Sequence, residues 1–242
     1  MLAVPSCAQV ACWLNAWVAR RESADEVIGG LLNGQARVEF VEPVQRQVLP
    51  PALVLGELSR LGVRRVSASL PTPGDLTGLG GPAAFNADAL EAGEAVIWHE
   101  AAVGFVPVSA GASTSWRGSV ASPPTYLPDV GTADRDLRHA LIEAARTLAA
   151  LDVASWNPDV ADALLNLRAD VLDGQRLPFA SPLAARTATT AIRCAQIVDL
   201  AFSDDGGALS SRQADQRRDA LVPLRRAART AVVSACSSVD GR

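Results

Sequence analysis

A glycine- and proline-rich segment, residues 71–86, holds the residue types best suited to bind a ligand. Glycines leave the backbone open, so the N–H groups of Gly78, Gly80 and Gly81 could approach an anion or a polar group closely. We predict that Asn86 caps the short helix that follows, whose N-terminus would add partial positive charge at the same place. The predicted ligand-binding residues of this loop are Gly74, Asp75, Gly78, Gly80, Gly81 and Asn86.

The glycine spacing matches neither of the common phosphate-binding motifs. The third glycine of G-x-G-x-x-G is missing, and no Gly-Lys-Ser/Thr follows, as a P-loop would require. A connection that covers the end of a hydrophobic core has the same composition, because glycine and proline mark turns. Structureless loops longer than about 12 residues are nevertheless uncommon in compact domains and are often functional. Both interpretations, a ligand-binding loop and a structural connection, stay open.

Arginines and a histidine on the neighbouring predicted strands could complete such a site. Arg64 and Arg65 lie on one strand, so that one side chain points to each face of the sheet, and Arg117 lies on a later strand. A guanidinium binds a carboxylate or phosphate through two parallel hydrogen bonds, so we expect Arg65 or Arg117 beside a bound anion. His99 ends another predicted strand and could transfer protons there, although a structural role is commoner for a lone histidine.

Other kinds of chemistry find no support in the composition. All 22 basic residues are arginine, which removes lysine Schiff-base chemistry. The four cysteines and two histidines do not fall at zinc-ligand spacings, and no serine sits in a G-x-S-x-G elbow. We therefore predict no metal, no cofactor and no catalytic residue set. A net charge of −4 argues against nucleic acid as a partner.

The N-terminal segment could be a secretory signal, a membrane anchor or a helix packed in the core. Residues 1–19 carry no charged side chain, but polar residues interrupt the apolar run, and Arg20 and Arg21 follow it instead of preceding it. We interpret the segment as a core-packed helix and expect no membrane partner. Four scattered thiols predict a reduced, cytoplasmic protein. The excess of arginine and alanine is typical of a high-GC bacterial genome.

Periodicity predicts an α+β or α/β fold with two regions. Residues 1–124 alternate between helical and strand patterns and should form a mixed sheet with flanking helices. Residues 125–242 read as about four helices, which either form a separate domain or pack as one with the first region. The predicted helices of the first region are 6–21, one opened by the Ser23–Glu26 capping box, one opened by Pro50 and Pro51, and 87–92; the predicted strands are 35–42, 63–70, 94–99, 103–109 and 113–121.

Two features of this prediction concern the arrangement of the elements. The first two strands could pair in parallel through a right-handed crossover. In the helical region, Asn157 with Pro158 and Ser181 with Pro182 each open a helix. A capping box at Ser210 opens the last one, where Pro223 should kink or split it.

Three functional hypotheses follow. The first is a binding or assembly protein without turnover, which uses the loop and the sheet edge as its contact surface and takes a small anion, a protein partner or a second copy of itself. The alternative is an enzyme acting on a phosphorylated or carboxylated small molecule at the Gly74–Asn86 loop, with Asp75 or His99 transferring protons. The third is a structural partner that docks through the exposed indoles of Trp13, Trp17 or Trp156.

Overall fold

The computed structural model describes residues 4–150, 176–203 and 211–239, and within these ranges it has an α+β fold. A mixed six-stranded sheet with helices on both faces is followed by long helices, which confirms the predicted fold class. The helices are α1 (Ser6–Val18), α2 (Ala24–Leu32), α3 (Pro51–Arg60), α4 (Ala83–Ala92), α5 (Val130–Ala150), α6 (Pro182–Ser203) and α7 (Ser211–Cys236). The strands are β1 (Arg37–Val41), β2 (Val48–Leu49), β3 (Val66–Ser69), β4 (Ala95–Trp98), β5 (Val103–Ala110) and β6 (Ser113–Val120).

The strand order is β2-β1-β6-β5-β4-β3, and only β1 and β6 pair in parallel. The predicted parallel pairing of β1 with β3 is wrong, since β3 lies at the opposite edge beside β4. The reason is local: α4 returns the chain to the end of β3, and β4 then runs back antiparallel to it, with Ser67 opposite Ile97. Two consecutive hairpin connections then build the sheet toward β1.

Strand β4 is buried on both faces and separates two hydrophobic layers. Val96 and Trp98 face the large core formed with α1, α2 and α3. Ala95 and Ile97 face the opposite layer, where Phe85 of α4 is only 1% exposed. Successive side chains of a strand point to opposite faces of the sheet, and in β4 both faces are buried.

Trp13 of α1 belongs to the large core and is 7% exposed. Its indole packs where Gly30 of α2 leaves room, because a Cβ on Gly30 would lie 1.9 Å from the ring. Trp17 is partly buried, and its Nε1 donates a hydrogen bond to the carbonyl of Leu55 at 3.3 Å. The docking hypothesis is therefore wrong for Trp13, and Trp156 lies outside the described residues.

Helix α4 begins earlier than the sequence predicts. Its first residue is Ala83 and Pro82 takes the N-cap position, so the predicted start at 87 with Asn86 as the cap is wrong. Pro82 has the extended backbone that an N-cap requires, and the two alanines that follow it favour helix, so the helix begins directly after the proline. Asn86 lies in the first turn instead, where its Oδ1 accepts the N–H of Gly81 at 3.1 Å.

The long C-terminal helix α7 packs against α5 and α6 and also reaches the first region. It runs through Pro223 as one helix, so of the two predicted effects of this proline the split is wrong and the kink stays a prediction. Leu221, Leu224 and Ala228 belong to the same core as α1 and the sheet. The predicted helix behind Asn157, and the capping residue Ser210, lie outside the described residues.

Candidate functional site

The glycine- and proline-rich loop is held by hydrogen bonds within itself. Thr72 and Asp75 exchange backbone hydrogen bonds of 2.8 Å in both directions, and the N–H of Leu79 donates to the carbonyl of Leu76 at 2.9 Å. The hydroxyl of Ser69, on β3, donates to the carbonyl of Thr77 at 2.8 Å. These bonds close the loop into two turns that lie against the end of β3.

The glycines of the loop allow close backbone contact. Gly78 is buried with φ +86°, and a Cβ there would lie 2.8 Å from the carbonyl oxygen of Ala68. At Gly80 a Cβ would lie 2.1 Å from the carbonyl oxygen of Pro123. The amide of Gly81 is occupied by Asn86, whereas those of Gly78 and Gly80 have no hydrogen-bond partner in the described parts of the chain. The packing explains both residues, and a ligand on their amides stays a prediction. Gly74 has φ +81° and open space around its Cα.

Asp75 is bound by arginines that the sequence did not single out as its partners. Its Oδ2 lies 2.6 Å from Nη2 of Arg229 and 3.6 Å from Nε of Arg226, both on α7, and its Oδ1 accepts the hydroxyl of Thr77 at 2.7 Å. Burial raises the pKa of Asp75, but the hydrogen bonds from Thr77 and Arg229 and the two positive charges outweigh it and lower the pKa overall. The guanidinium that binds Asp75 therefore belongs to Arg229, which lies 154 positions later in the chain.

Arg65, Arg117 and His99 do not gather at the loop carboxylate. Arg117 is exposed on β6. The Nε2 of His99 lies 3.0 Å from the hydroxyl oxygen of Ser67, on the neighbouring strand. Burial, and then the charge of Arg65, lower the pKa of His99, so that its ring is neutral near pH 7.

A histidine within hydrogen-bond distance of a serine is an arrangement that acyl-transfer enzymes use to activate a nucleophile. Ser67, however, is 0% exposed, so a substrate cannot reach its hydroxyl in this conformation. The pair instead satisfies a buried hydroxyl beside the sheet edge. Glu100, the residue after His99, accepts the backbone N–H of Arg64 at 2.8 Å and so joins the segment after β4 to the segment before β3.

The edge strand β3 is closed by side chains. Asn15 of α1 is 0% exposed, and its Oδ1 accepts the N–H of Val66 at 2.9 Å while its Nδ2 donates to the carbonyl of Val66 at 2.8 Å. The hydroxyl oxygen of Ser237, just after α7, accepts the N–H of Ala68 at 3.0 Å. An exposed edge would pair with another chain, but here its polar groups are used within the molecule. The amides of Val66 and Ala68 are thus used within the molecule, and contact of the sheet edge with an external partner stays a prediction.

A cavity of about 340 Å³ lies away from the loop, between α3, the β1–β2 connection and the β4–β5 hairpin. We call it the Trp98 pocket, and its apolar wall consists of Leu49, Leu61, Trp98, Val103 and Phe105. Trp98 and Phe105 pack with ring centroids 4.7 Å apart, within an aromatic cluster that also contains Phe40.

One lining residue of the Trp98 pocket carries an unsatisfied polar group. Trp98 is 1% exposed, and its Nε1 has no acceptor in the described part of the chain. At the rim, Nε of Arg60 donates to Glu57 at 2.8 Å, and this hydrogen bond is the main reason why the pKa of Glu57 lies below its ordinary value. Glu42 adds a second carboxylate. Sequence reasoning missed this pocket because three segments far apart in the chain form it.

No group of three or more His, Cys, Asp or Glu side chains within the described ranges is placed to hold a metal ion. The fold and the pocket define an α+β protein that combines a mixed six-stranded sheet, a helical C-terminal region and a ligand-sized cavity. None of the helices described is both long enough and apolar enough to cross a bilayer.

Comparison with known proteins gives the family. Residues 7–129 match the family described as Rv1486c-like protein, N-terminal domain, and residues 131–233 match Rv1486c-like protein, C-terminal domain. The chain therefore belongs to the Rv1486c-like protein family.

A curated relative, described as uncharacterized protein MAV321 of Mycobacterium avium, is 35% identical over 125 residues. The match covers 43% of this chain and 41% of the relative, so the chain spans less than half of that protein. No solved structure matches the chain.

Proposed function

We propose that this protein is a cytoplasmic binding protein, and that it holds a small, uncharged, largely apolar molecule with one hydrogen-bond acceptor in the Trp98 pocket. The unpartnered indole N–H of Trp98 carries this proposal. Buried donors in folded proteins are nearly always paired, and leaving one unpaired costs about 1–3 kcal/mol. A carbonyl or ether oxygen of a ligand would supply the missing acceptor.

The size and lining of the cavity agree with a small ligand. Small-molecule sites commonly enclose about 300–1,000 Å³ and are mostly apolar, with few polar groups that fix orientation. The Trp98 pocket encloses about 340 Å³ and offers an aliphatic and aromatic wall. A ligand of about ten non-hydrogen atoms fits this description.

The rim disfavours an anion. The guanidinium of Arg60 is already bound by Glu57, and Glu42 contributes further negative charge. An anionic ligand would meet like charge without a free cation to compensate it. The proposed ligand therefore differs from the phosphorylated or carboxylated molecule of the enzyme hypothesis. That alternative has less support, because Asp75 is engaged by Arg229 and Ser67 is buried.

A cytoplasmic location is supported by the cysteines. All four cysteines are free and buried, and burial raises the pKa of Cys194 to about 11, which keeps its thiol protonated and unreactive. Structural thiols of this kind are typical of reducing compartments.

The test uses two probes that differ in the acceptor, acetophenone and ethylbenzene. Titration of ¹⁵N-labelled protein would follow the indole N–H resonance of Trp98, assigned by its loss in Trp98→Phe. We expect acetophenone to shift that resonance and to bind about 3- to 10-fold more tightly than ethylbenzene, the worth of one net hydrogen bond. In Trp98→Phe the two affinities should become equal.

Leu53→Ala is the matched control, because Leu53 is 52% exposed and does not line the pocket, although it lies on α3. This variant should keep the preference for acetophenone. Thermal unfolding of both variants checks that they are folded. Equal binding of the two probes to the unchanged protein, or an unchanged preference in Trp98→Phe, would show that the indole N–H does not select a ligand.

A further inference from the structure

A second cavity lies where the two matched regions of the chain meet. It encloses about 230 Å³ between Arg65, which precedes β3, the segment that leads into α5, and the end of α7. We call it the Arg65 cleft, and it shares no lining residue with the Trp98 pocket. Its two walls differ in chemistry. The apolar side is formed by Leu127, Pro128, Val130 and Val239, and the polar side by Arg65, Ser234 and Ser237.

Ser234, one of the lining residues of this cleft, carries a buried hydroxyl without a partner in the described ranges. The residue is 3% exposed, and its Oγ has no hydrogen-bond partner in the described ranges. A hydroxyl buried without a partner is uncommon in native proteins. Serines on helices normally bond to a carbonyl one turn earlier when nothing else is available. The side chain of Ser234 instead lines the cleft, with a hydrogen to donate.

Two further groups can donate on the same side. Ser237 accepts the N–H of Ala68 with its hydroxyl oxygen at 3.0 Å, which leaves its own hydrogen free to point elsewhere. Arg65 presents a guanidinium, which no ion pair engages within the described residues, whereas its neighbour Arg64 lies 3.5 Å from Glu100. The side chains of Arg65, Ser234 and Ser237 can thus all donate, and an acceptor-only group such as a carboxylate complements them.

Asp129 limits the charge that the cleft accepts. Its two carboxylate oxygens receive the N–H of Thr132 at 2.9 Å and the hydroxyl of Thr132 at 2.8 Å. These hydrogen bonds lower the pKa of Asp129, which keeps its negative charge at the rim. A dianion would suffer twice the repulsion of a monoanion from that charge. Asp129 also caps the N-terminus of α5 through its bond from the N–H of Thr132.

From these observations we infer that the Arg65 cleft binds a small monocarboxylate with a short hydrocarbon tail. The carboxylate lies against Arg65, Ser234 and Ser237, and the tail packs on Leu127 and Val130. This site is separate from the one proposed above, and neither depends on the other.

The probes are butyrate, its neutral analogue butyramide, and inorganic phosphate, each titrated calorimetrically into the whole protein in a buffer free of carboxylate and phosphate. We expect saturable binding of butyrate, at least tenfold weaker binding of butyramide, and weaker binding of phosphate than of butyrate. Arg65→Gln should weaken butyrate at least tenfold, and Arg64→Gln, the matched control, less than twofold.

Ser234→Ala separates the ligand role from a role in folding. Loss of a hydroxyl that has no internal partner leaves thermal stability equal or higher, while butyrate affinity falls about three- to tenfold. Trp98→Phe should leave butyrate affinity unchanged, so this test stands apart from the first. Equal binding of butyrate and butyramide, tighter binding of phosphate, equal effects of the two arginine variants, or no saturation by butyrate would each overturn the inference.

Discussion

Replacing Asn15 with leucine removes the side chain that joins α1, the edge strand and the end of α7. Besides its two bonds to Val66, the Nδ2 of Asn15 donates to the carbonyl of Cys236 at 3.1 Å, so three hydrogen bonds are lost together. Asn15 and Val66 are 0% exposed and Cys236 is 1% exposed, so water cannot replace the lost partner without opening the structure.

The expected cost follows from the groups left behind. A buried donor or acceptor without a partner costs about 1–3 kcal/mol, and three such groups near the low end of that range cost about 3–5 kcal/mol. Leucine has a similar volume and recovers part of this by apolar burial, of the order of 1 kcal/mol. We expect a net loss of about 2–4 kcal/mol, which is a large part of the 5–15 kcal/mol typical of a folded domain.

Ser237→Ala calibrates this estimate, since it removes one hydrogen bond to the backbone instead of three. The N–H of Ala68 then lacks its acceptor, and the expected loss is about 1–2 kcal/mol. Urea unfolding, followed in parallel by tryptophan fluorescence and far-ultraviolet circular dichroism, measures both variants and tests whether unfolding is two-state.

Hydrogen exchange at Val66 provides a local readout of the same prediction. Its amide should lose protection in Asn15→Leu beyond the loss expected from global stability, because the edge of β3 becomes open. A loss below about 1 kcal/mol, or one no larger than that of Ser237→Ala, would refute the reasoning that the Asn15 bonds hold this edge.

Two further predictions concern α2 and the start of α1. Gly30→Ala should destabilise the protein by about 1–3 kcal/mol, because the new Cβ would overlap the indole of Trp13. Gly29→Ala should instead stabilise α2 by about 0.5–1 kcal/mol, because no atom lies within 4 Å of the new Cβ. If thermal unfolding ranks the two variants the other way, the packing of Trp13 against Gly30 is contradicted. Glu94 accepts the N–H of Cys7 at 2.7 Å, but burial raises its pKa above the ordinary value, so the stability it contributes is fully present at low pH and falls as pH rises through the raised pKa. Glu94→Gln should therefore show a smaller loss of unfolding free energy between pH 4 and pH 8, and parallel profiles for the two proteins would be the contrary result.

Features with a local cause were predictable from the sequence. The capping box of Ser23 and Glu26 forms as predicted, because both hydrogen bonds lie within four consecutive residues. Proline at the first position of α3 marks its start for the same kind of reason. The start of α4 was predicted wrongly although its signal is also local. Pro82 and Asn86 are both residue types found at helix starts, and only the structure shows that Pro82 is the N-cap.

Features with a distant cause were not predictable from one sequence. The parallel pairing of β1 with β6 places Phe40 opposite Trp116, 76 positions later, and no pattern in either strand names its neighbour. The same holds for Asp75 and Arg229, whose pairing depends on how α7 packs. Arg65 was predicted as an anion partner, and its place in a cleft with Ser234 keeps that prediction open at a different position from the loop.

The contacts of α7 occupy polar groups of both the loop and the sheet edge. Arg229 binds Asp75 of the loop, Ser237 closes β3, and the carbonyl of Cys236 accepts Asn15, so the loop and the edge form a docking surface for the chain's own last helix. Polar groups of the loop and the edge are thus used within the molecule, and an external contact at this surface stays a prediction.

Polar groups that the fold leaves unpaired are consequently the better guide to external ligands. Among the buried side-chain atoms without a partner in the described residues, Nε1 of Trp98 and Oγ of Ser234 belong to residues that line a cavity. The fold supplies side-chain partners for the amides of Val66 and Ala68 at an edge strand, yet it leaves these two buried atoms without a partner in the part of the chain described. Because unpaired buried polar groups are uncommon, this contrast supports the two binding sites proposed above.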